Sequence, residues 1–273
     1  MSPWVLRGLR EGVVTTRWPA RPDAYADEWR GPATIRQPRA AGTADVTSLC
    51  PTGAISVSAN RGIVLDQGRC VLCGECVRRR PDVFAWSEGI TSATLSRDTL
   101  VVPRREESPE ERAATRAALA SRTRALRRSV HLRHVDAGSD GSDDQEIAAL
   151  LNPVYDIARL GIFFTASPRH ADVLLVTGAG AHGMAEPLRR TYEGMPDPKI
   201  VIAVGTDAIS GGMLGGSAPG DGSYATSGGI AAVVPVDVWV PGSPPPPFAI
   251  LHGLLLGLGR LPGPPAPSGG TPA

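Results

Sequence analysis

Three cysteines stand at a spacing that suits iron–sulfur chemistry. Cys70, Cys73 and Cys76 form the pattern C-x2-C-x2-C, and the fourth cysteine of the chain, Cys50, lies upstream of them. Iron in such clusters prefers soft, negatively charged sulfur ligands. Gly74 permits a tight turn, and backbone amides in a loop of this kind can hydrogen-bond to the sulfurs. We therefore predict that these four cysteines hold one [4Fe-4S] cluster.

The same region indicates that a second cluster site has been lost. Bacterial two-cluster runs read C-x2-C-x2-C-x3-C-P, and the last cysteine of each run ligates the other cluster. Cys50, followed by proline, matches the end of a first run, whereas Arg80 stands where the second run should end. Counting back with this spacing places the other lost positions at Ala40, Thr43 and Val46. A four-thiolate zinc site is the alternative, although zinc more often uses two separated C-x2-C knuckles.

Residues 5–103, including the opening EGVVTTRWP, resemble the double-cluster ferredoxin subunits of complex I and of membrane-bound group 4 [NiFe] hydrogenases. The short apolar runs AISV, GIVL, DVFAW, ATLS and TLVV alternate with turns and predict hairpin-sized strands. The resemblance implies an α+β ferredoxin-like module.

From Ser129 onward the pattern changes to an α/β one. ADVLLVTGAG, KIVIAVGTDA and AAVVPVDVWVPG contain strands rich in Val, Ile and Leu, and MAEPLRRTYEGM and PPPPFAILHGLLLGLGRL predict helices. Nearly continuous apolar strands that alternate with helices predict a parallel sheet covered on both faces.

This half resembles the small electron-transfer subunit of group 4 [NiFe] hydrogenases and the 20 kDa subunit of NADH-quinone oxidoreductase. The motifs that carry the resemblance, in order, are LRHVDAGSDGSDDQEIAALLNPVYDIARLGI, SPRHADVLLVTGA, PDPKIVIAVGTDAISGGM and VPVDVWVPGSPPPP. The resemblance implies a flavodoxin-like parallel-sheet domain whose loops at the carboxyl ends of the strands hold one [4Fe-4S] cluster.

The chain departs from that family at the cluster ligands. Where the hydrogenase form has cysteines, this chain has Asp140, Asp143, Asp207 and Ser243. We expect this proximal site to lack its cluster and to form a hydrated or hydrogen-bonded group of loops. The alternative is a hard cation such as Mg²⁺ held by the three carboxylates. Without a cation the carboxylates would raise one another's pKa, unless Arg133, Arg169 or a partner's arginine neutralised them.

Composition narrows the classes of function. The net charge of +1 provides no general attraction to nucleic acid, and no apolar run approaches the roughly 20 residues of a membrane-spanning helix. The amino terminus lacks the apolar core of a secretory signal, so we expect a cytoplasmic location, peripheral on the inner face of the cell membrane.

The glycine-rich turns TGAGAHG and SGGMLGG match no nucleotide-binding motif. We interpret His134 as a packing or interface residue.

Five segments follow from these patterns. We predict a helix and arm over 1–30, the ferredoxin-like module over 31–103, a solvated linker helix over 104–128, the larger α/β domain over 129–262 and a disordered tail over 263–273. The weakly amphipathic stretch 1–20 would lie on a partner or on a membrane surface. Ser108, Pro109 and Glu111 form a capping-box start for the linker helix.

The function expected from these features is an iron–sulfur electron-transfer or scaffold subunit of a membrane-associated complex related to NADH-quinone oxidoreductase and group 4 [NiFe] hydrogenase. It would have no complete active site of its own. Its partners would be a hydrogenase-like or complex I-like large subunit and, through it, membrane-arm subunits. Two alternatives stay open: a non-redox assembly or sensor protein that keeps the fold as a docking surface, and a metal-dependent enzyme that uses the carboxylates.

Overall fold

The computed structural model describes residues 3–23, 25, 28–39, 45–104, 109–124, 129–216 and 223–261. The chain begins with helix α1 (Pro3–Glu11), which is followed by Gly12, a residue with a left-handed backbone (φ 69°). Glycine adopts this conformation without steric penalty, which makes it a common helix terminator. The arm after Gly12 leads to the first strand.

Two small antiparallel sheets form the amino-terminal module. Strand β1 (Arg30–Ile35) pairs with β4 (Phe84–Glu88). Strands β2 (Ile55–Ser58) and β3 (Gly62–Asp66) form a hairpin, and β3 also pairs with β5 (Val101–Val102). The short helix α2 (Glu75–Arg79) precedes β4. The ferredoxin-like assignment of this module stays a prediction.

The second domain contains a parallel sheet, as the sequence predicts, and this sheet has five strands. Its strands are β6 (Val130–Asp136), β7 (Ile162–Phe164), β8 (Val173–Thr177), β9 (Ile200–Val204) and β10 (Val238–Val240). They lie in the order β10-β9-β8-β6-β7, and every neighbouring pair is parallel. This is the flavodoxin-like strand order, which has its switch point between β6 and β8.

Helices cover both faces of this sheet. Helix α3 (Pro109–Thr123) precedes it, and α4 (Ser142–Ala149), α5 (His182–Gly194), α6 (Gly205–Ser210) and α7 (Pro247–Gly257) follow strands. Helix α7 is buried along most of its length and contributes Ile250, Leu251 and Leu254 to one core. A second core on the other face contains Leu188, Ile209 and Leu174. Strands β8 and β9 are buried at every position, as expected for a sheet covered on both sides.

The amino-terminal module is joined to the edge of the large sheet. Thr94 and Trp239 exchange two backbone hydrogen bonds of 2.9 Å in an antiparallel bridge, which extends the sheet beyond β10. Ala93 and Leu100 are buried in the two cores of the second domain. The two parts of the chain therefore share hydrophobic cores as well as a sheet edge.

Several local predictions need correction. The stretch 1–20 is helical only to Glu11, and ATLS contributes the Thr94 bridge instead of a strand. The linker helix begins at Pro109 as predicted, but Leu119 and Thr123 are buried, so the helix is not wholly solvated. Ser108, Ala40, Thr43 and the predicted tail over 263–273 lie outside the described residues.

Candidate metal centre

The loop that carries three of the cysteines is shaped by two residues with left-handed backbones. Leu72 has φ 57° and Gly74 has φ 74°. A bulky residue with positive φ is uncommon and marks a loop whose conformation is imposed by its surroundings. Gly74 immediately precedes α2, so Cys73 lies before the helix and Cys76 lies within its first turn. A methyl group on Gly74 would come within 3.0 Å of the Trp86 ring.

The backbone that leads into this loop is held by polar contacts. The Asp66 carboxylate accepts a 2.9 Å hydrogen bond from the Gly68 amide and forms an ion pair with Arg97 at 2.5 Å. The Gln67 side chain donates to the Ala33 carbonyl at 3.0 Å and is buried. These contacts fix the backbone immediately before Cys70.

Cys50 approaches from a separate turn. The Ala54 amide donates a 3.2 Å hydrogen bond to the Cys50 sulfur. Thr52, which is buried, donates its hydroxyl proton to the Arg69 carbonyl at 2.6 Å, and its oxygen lies 3.4 Å from the same sulfur. Thr52 therefore connects the turn that carries Cys50 to the residue before Cys70.

All four cysteines line one pocket. The sulfurs share its wall with apolar side chains; its apolar lining residues are Ala33, Leu49, Ala54, Ile55, Leu65 and Val71. All four thiols are free, Cys70 and Cys76 are buried, and Cys73 is exposed. The structure therefore brings together the four cysteines that the sequence pattern selects.

Burial raises the pKa of the Cys70 thiol, and backbone hydrogen bonds with Ala33 and Leu72 act in the opposite direction. Burial also raises the pKa of Cys76 to about 11, and the neighbouring cysteines add to this effect. Four ionised thiolates in such an apolar pocket would repel one another. A cationic group that binds all four is what would hold them as thiolates.

Four cysteine thiolates are a donor set that suits two kinds of metal group. They can hold a [4Fe-4S] cluster, in which each thiolate binds a different iron, or a single tetrahedral zinc ion. Among the residues that the structure describes, no group of three or more His, Cys, Asp and Glu side chains is arranged to hold a single metal ion. The residues present therefore fit a [4Fe-4S] cluster in their chemistry.

The cysteine loop packs directly against the second domain. The Thr206 hydroxyl, which is fully buried, donates a 2.9 Å hydrogen bond to the Cys70 carbonyl. The Thr206 amide donates to the Gly242 carbonyl at 2.6 Å, and the Arg69 guanidinium donates to the Gly216 carbonyl. Sequence reasoning did not single out Thr206. Its position in GTDA, directly before Asp207, was the signal available.

The four positions at which the sequence resemblance implies cluster cysteines follow the carboxyl ends of three strands. Asp140 and Asp143 lie after β6, Asp207 lies in α6 after β9, and Ser243 follows β10. This is the edge at which open α/β sheets bind ligands. Asp143 is only 3% exposed, and its Oδ1 atom has no hydrogen-bond partner.

Burial raises the pKa of Asp143 to about 8, and the charges of Asp207 and Asp140 contribute to this shift. Burial also raises the pKa of Asp207, with Asp140 adding to the effect. Asp140 differs, because hydrogen bonds from the Ser142 hydroxyl and amide lower its pKa. The site therefore contains two carboxyl groups that resist ionisation and one that favours it.

This arrangement does not support the cation alternative. The three carboxylates are not among any group of ligands close enough to share an ion within the described part of the chain. The Asp140 carboxylate accepts a hydrogen bond from the Ser142 hydroxyl. Of the proposed counter-charges, Arg133 has a buried Nε atom without a hydrogen-bond partner.

A hydrogen-bond network stands beside these positions. The Thr177 hydroxyl donates to Asp144 at 2.6 Å, the Ser139 hydroxyl donates to the same carboxylate at 2.9 Å, and His134 Nε2 lies 3.0 Å from the Thr177 hydroxyl. Burial lowers the pKa of His134. These contacts hold the loops after β6 and β8 together, which agrees with a packing role for His134.

The second site of the amino-terminal module, which the sequence predicts to have lost its ligands, is only partly described. Val46 is 1% exposed and belongs to the hydrophobic core of the amino-terminal module. Arg80 forms an ion pair with Asp82 at 2.8 Å. Neither side chain offers a ligand for iron.

Comparisons with known proteins identify the second domain. Residues 141–256 match the family described as NADH ubiquinone oxidoreductase, 20 Kd subunit. The chain is 46% identical over 134 residues to the probable membrane-bound hydrogenase subunit mbhJ of Pyrococcus furiosus, a match that covers 49% of this chain and 77% of that protein.

Two further relatives match over shorter shares of their length. Formate hydrogenlyase subunit 7 of Escherichia coli is 42% identical over 142 residues, which are 52% of this chain and 53% of that protein. An NADH-quinone oxidoreductase subunit of Rhizobium etli is 46% identical over 102 residues, which are 37% of this chain and 57% of that protein. The chain thus spans little more than half the length of these two relatives.

Proposed function

The chain belongs to the family of the NADH ubiquinone oxidoreductase 20 kDa subunit, and from this premise we propose that it is an iron–sulfur electron-transfer subunit of a membrane-associated complex. It carries one [4Fe-4S] cluster on Cys50, Cys70, Cys73 and Cys76 and has no complete active site of its own. The observation that supports this most strongly is the pocket that all four thiols line.

The residues around the pocket have defined roles in this proposal. Cys50, Cys70, Cys73 and Cys76 provide the thiolates, and the Ala54 amide donates to one of the sulfurs. When bound, the cluster would supply one-electron transfer at a potential tuned by hydrogen bonds, charge and burial. The apolar wall excludes water from Cys70 and Cys76, and exposed Cys73 lies on the side open to a redox partner.

The second domain has no donor set for a further cluster in this proposal. Asp140, Asp143, Asp207 and Ser243 offer hard oxygen donors where iron–sulfur chemistry needs soft sulfur. No cysteine follows Cys76 in the chain. The hydrogen bond from Thr206 to the Cys70 carbonyl holds the cysteine loop against the GTDA segment. The single cluster would therefore stand beside the position that the family uses for its proximal cluster.

The partners follow from the relatives. By their names, the relatives include a membrane-bound hydrogenase subunit and a subunit of NADH-quinone oxidoreductase. We infer that this chain binds a large subunit of the hydrogenase or complex I type through its DAGS, GTDA and PGSPP loops, and membrane-arm subunits through that complex. None of the described helices is long and apolar enough to span a membrane.

Iron and acid-labile sulfide content of the anaerobically purified chain tests the proposal. We expect about four irons and four sulfides per chain, as for one [4Fe-4S] cluster. The variant Cys76→Ser should lose most of the iron. The variant Asp207→Asn should keep all of it, because that position is not a ligand here. One zinc per chain without iron, or about eight irons per chain, would contradict the proposal.

A further inference from the structure

Helix α1 presents an apolar face that no other part of the described structure covers. Trp4 is 75% exposed and Leu9 is 72% exposed, and no residue of the helix is buried. A methyl group placed on Gly8 would meet nothing within 4 Å. Water-exposed apolar side chains in such a group normally mark a binding surface.

The helix is divided into two faces. Leu9 follows Val5 by four residues and Leu6 by three, which places Leu9 beside both of them on one side of the helix. Arg7, Arg10 and Glu11 follow the same spacing on the other side, where Arg7 donates to Glu11 at 2.7 Å. Trp4 precedes Arg7 by three residues and therefore lies on the charged side of the helix. A helix with a Leu-containing apolar face and an Arg-rich face is typical of helices that lie in the plane of a membrane interface.

Positive charge is concentrated in this part of the chain. Residues 3–21 contain four arginines and one acidic residue, although the whole chain carries a net charge of only +1. Arg10 and Arg17 are exposed. Exposed arginines next to an apolar face are attracted to anionic lipid headgroups.

The helix is attached firmly to the second domain by the arm that follows it. The Thr16 amide donates to the Val154 carbonyl at 2.8 Å, and the Thr15 hydroxyl donates to the Pro153 carbonyl at 2.7 Å. Trp18 packs edge-on against Phe248 with ring centroids 6.0 Å apart. Val13 is 83% exposed and Val14 is 52% exposed, so the apolar surface continues from the helix into the arm.

We propose that α1 and residues 12–17 form a surface that binds an anionic lipid bilayer, with the apolar face inserted and the arginines at the headgroups. Leu151 and Val154 are exposed apolar side chains in the segment to which the arm is hydrogen-bonded. This inference rests on the proposed function. It names the element that would attach the chain to the membrane. Because it does not involve the cysteines, lipid binding and iron content are measured independently.

Co-sedimentation of the full chain with vesicles tests the surface. We expect binding to phosphatidylcholine vesicles that contain about one third phosphatidylglycerol, and binding that is at least about fivefold weaker without the anionic lipid. Leu9→Glu should weaken binding by about tenfold or more, because it places a charge on the inserted face. Arg10→Glu should weaken it by about tenfold and reduce its dependence on salt.

Leu214→Glu is the matched control, because Leu214 is also exposed (53%) but lies after α6, outside this surface. It should bind vesicles like the unaltered chain. The proposal is overturned if the unaltered chain stays in the supernatant with both kinds of vesicle, since the apolar face then serves a protein partner. It is also overturned if Leu9→Glu binds as well as Leu214→Glu.

Discussion

Asp143 is a buried carboxyl group at a position where the sequence resemblance implies a cluster cysteine. Its carboxyl group is 3% exposed, and the ideal Cβ position on Gly205 would lie 2.2 Å from its Oδ2 atom. Burial and the neighbouring carboxylates raise its pKa to about 8. An aspartate in the unfolded chain has a pKa near 3.9. The folded state therefore binds a proton that the unfolded chain releases between these two pH values.

The sign of the resulting pH dependence follows from proton linkage. Below about pH 4 the Asp143 carboxyl is protonated in both the folded and the unfolded state, so it does not lower the free energy of unfolding. As the pH rises towards 8, the unfolded state loses its proton first, so the folded state becomes relatively less stable. Within this interval the free energy of unfolding falls by about 1.4 kcal/mol for each pH unit.

We predict that Asp143→Asn raises the melting temperature by several degrees at pH 8 and changes it little at pH 4. The amide is close in shape to the protonated acid and has no proton to lose. Thermal unfolding at the two pH values measures this difference. Asp197→Asn is the control, because the Asp197 side chain is 86% exposed. An equal effect of Asp143→Asn at both pH values would contradict the assignment of a protonated carboxyl.

At the scale of elements, the turn from β9 into α6 is the connection on which the second domain's site depends. Gly205 has φ 90°, a conformation that side chains rarely adopt, and it lies against the Asp143 carboxyl. The strand ends at Val204 and the helix begins at once, so GTDA is helical instead of continuing the strand. The turn brings Thr206 to the cysteine loop and Asp207 near the Asp143 carboxyl.

Gly205→Ala should destabilise the fold strongly, by about 3 kcal/mol or more, because it combines a strained backbone with a steric clash. The melting temperature of the variant measures this loss. Gly183→Ala provides the matched comparison, since Gly183 lies within α5 and an added methyl group there meets nothing within 4 Å. Alanine should stabilise that helix by about 0.5–1 kcal/mol. Similar melting temperatures for the two variants would show that the turn is not constrained as described.

The contact between the cysteine loop and α6 can be tested separately. Thr206→Val removes the hydroxyl that donates to the Cys70 carbonyl and leaves a buried acceptor without that donor. We expect a loss of about 1–3 kcal/mol in the free energy of unfolding. A changed electron paramagnetic resonance spectrum of the reduced cluster should accompany it.

Thr226→Val makes the same substitution where the buried hydroxyl oxygen has no hydrogen-bond partner. That variant should be as stable as the unaltered chain or more so, because it removes a buried polar group that takes part in no hydrogen bond. If both variants lose the same stability, the Thr206 contact does not join the two parts of the molecule.

At the scale of the whole molecule, the regular parts of the second domain were predictable. The apolar runs around β8 and β9 are long enough to be identified as buried strands, and the resemblance implied a flavodoxin-like sheet. The sequence pattern does not predict strand β1, because residues 21–45 are rich in Pro, Gly and Ala and show little periodicity. It is held by pairing with β4, a contact distant in sequence. Patterns among neighbouring residues do not reveal pairings between strands that are distant in sequence.

The sequence selects the cysteines of the candidate site but does not predict where the site lies in the fold. The C-x2-C-x2-C spacing and the proline after Cys50 were sufficient to select four cysteines, which the structure places around one pocket. The hydrogen bond between Thr206 and Cys70 joins residues 136 positions apart, and no spacing rule predicts it. The raised pKa of Asp143 likewise arises from burial in the folded state.

Location of iron in crystals of the anaerobically prepared chain would test the central proposal most directly. Anomalous scattering at the iron absorption edge should give one cluster of density enclosed by Cys50, Cys70, Cys73 and Cys76, next to Thr206. No iron density should appear between Asp143 and Asp207. Iron density at those carboxylates, or cysteine sulfurs that enclose none, would contradict the proposal.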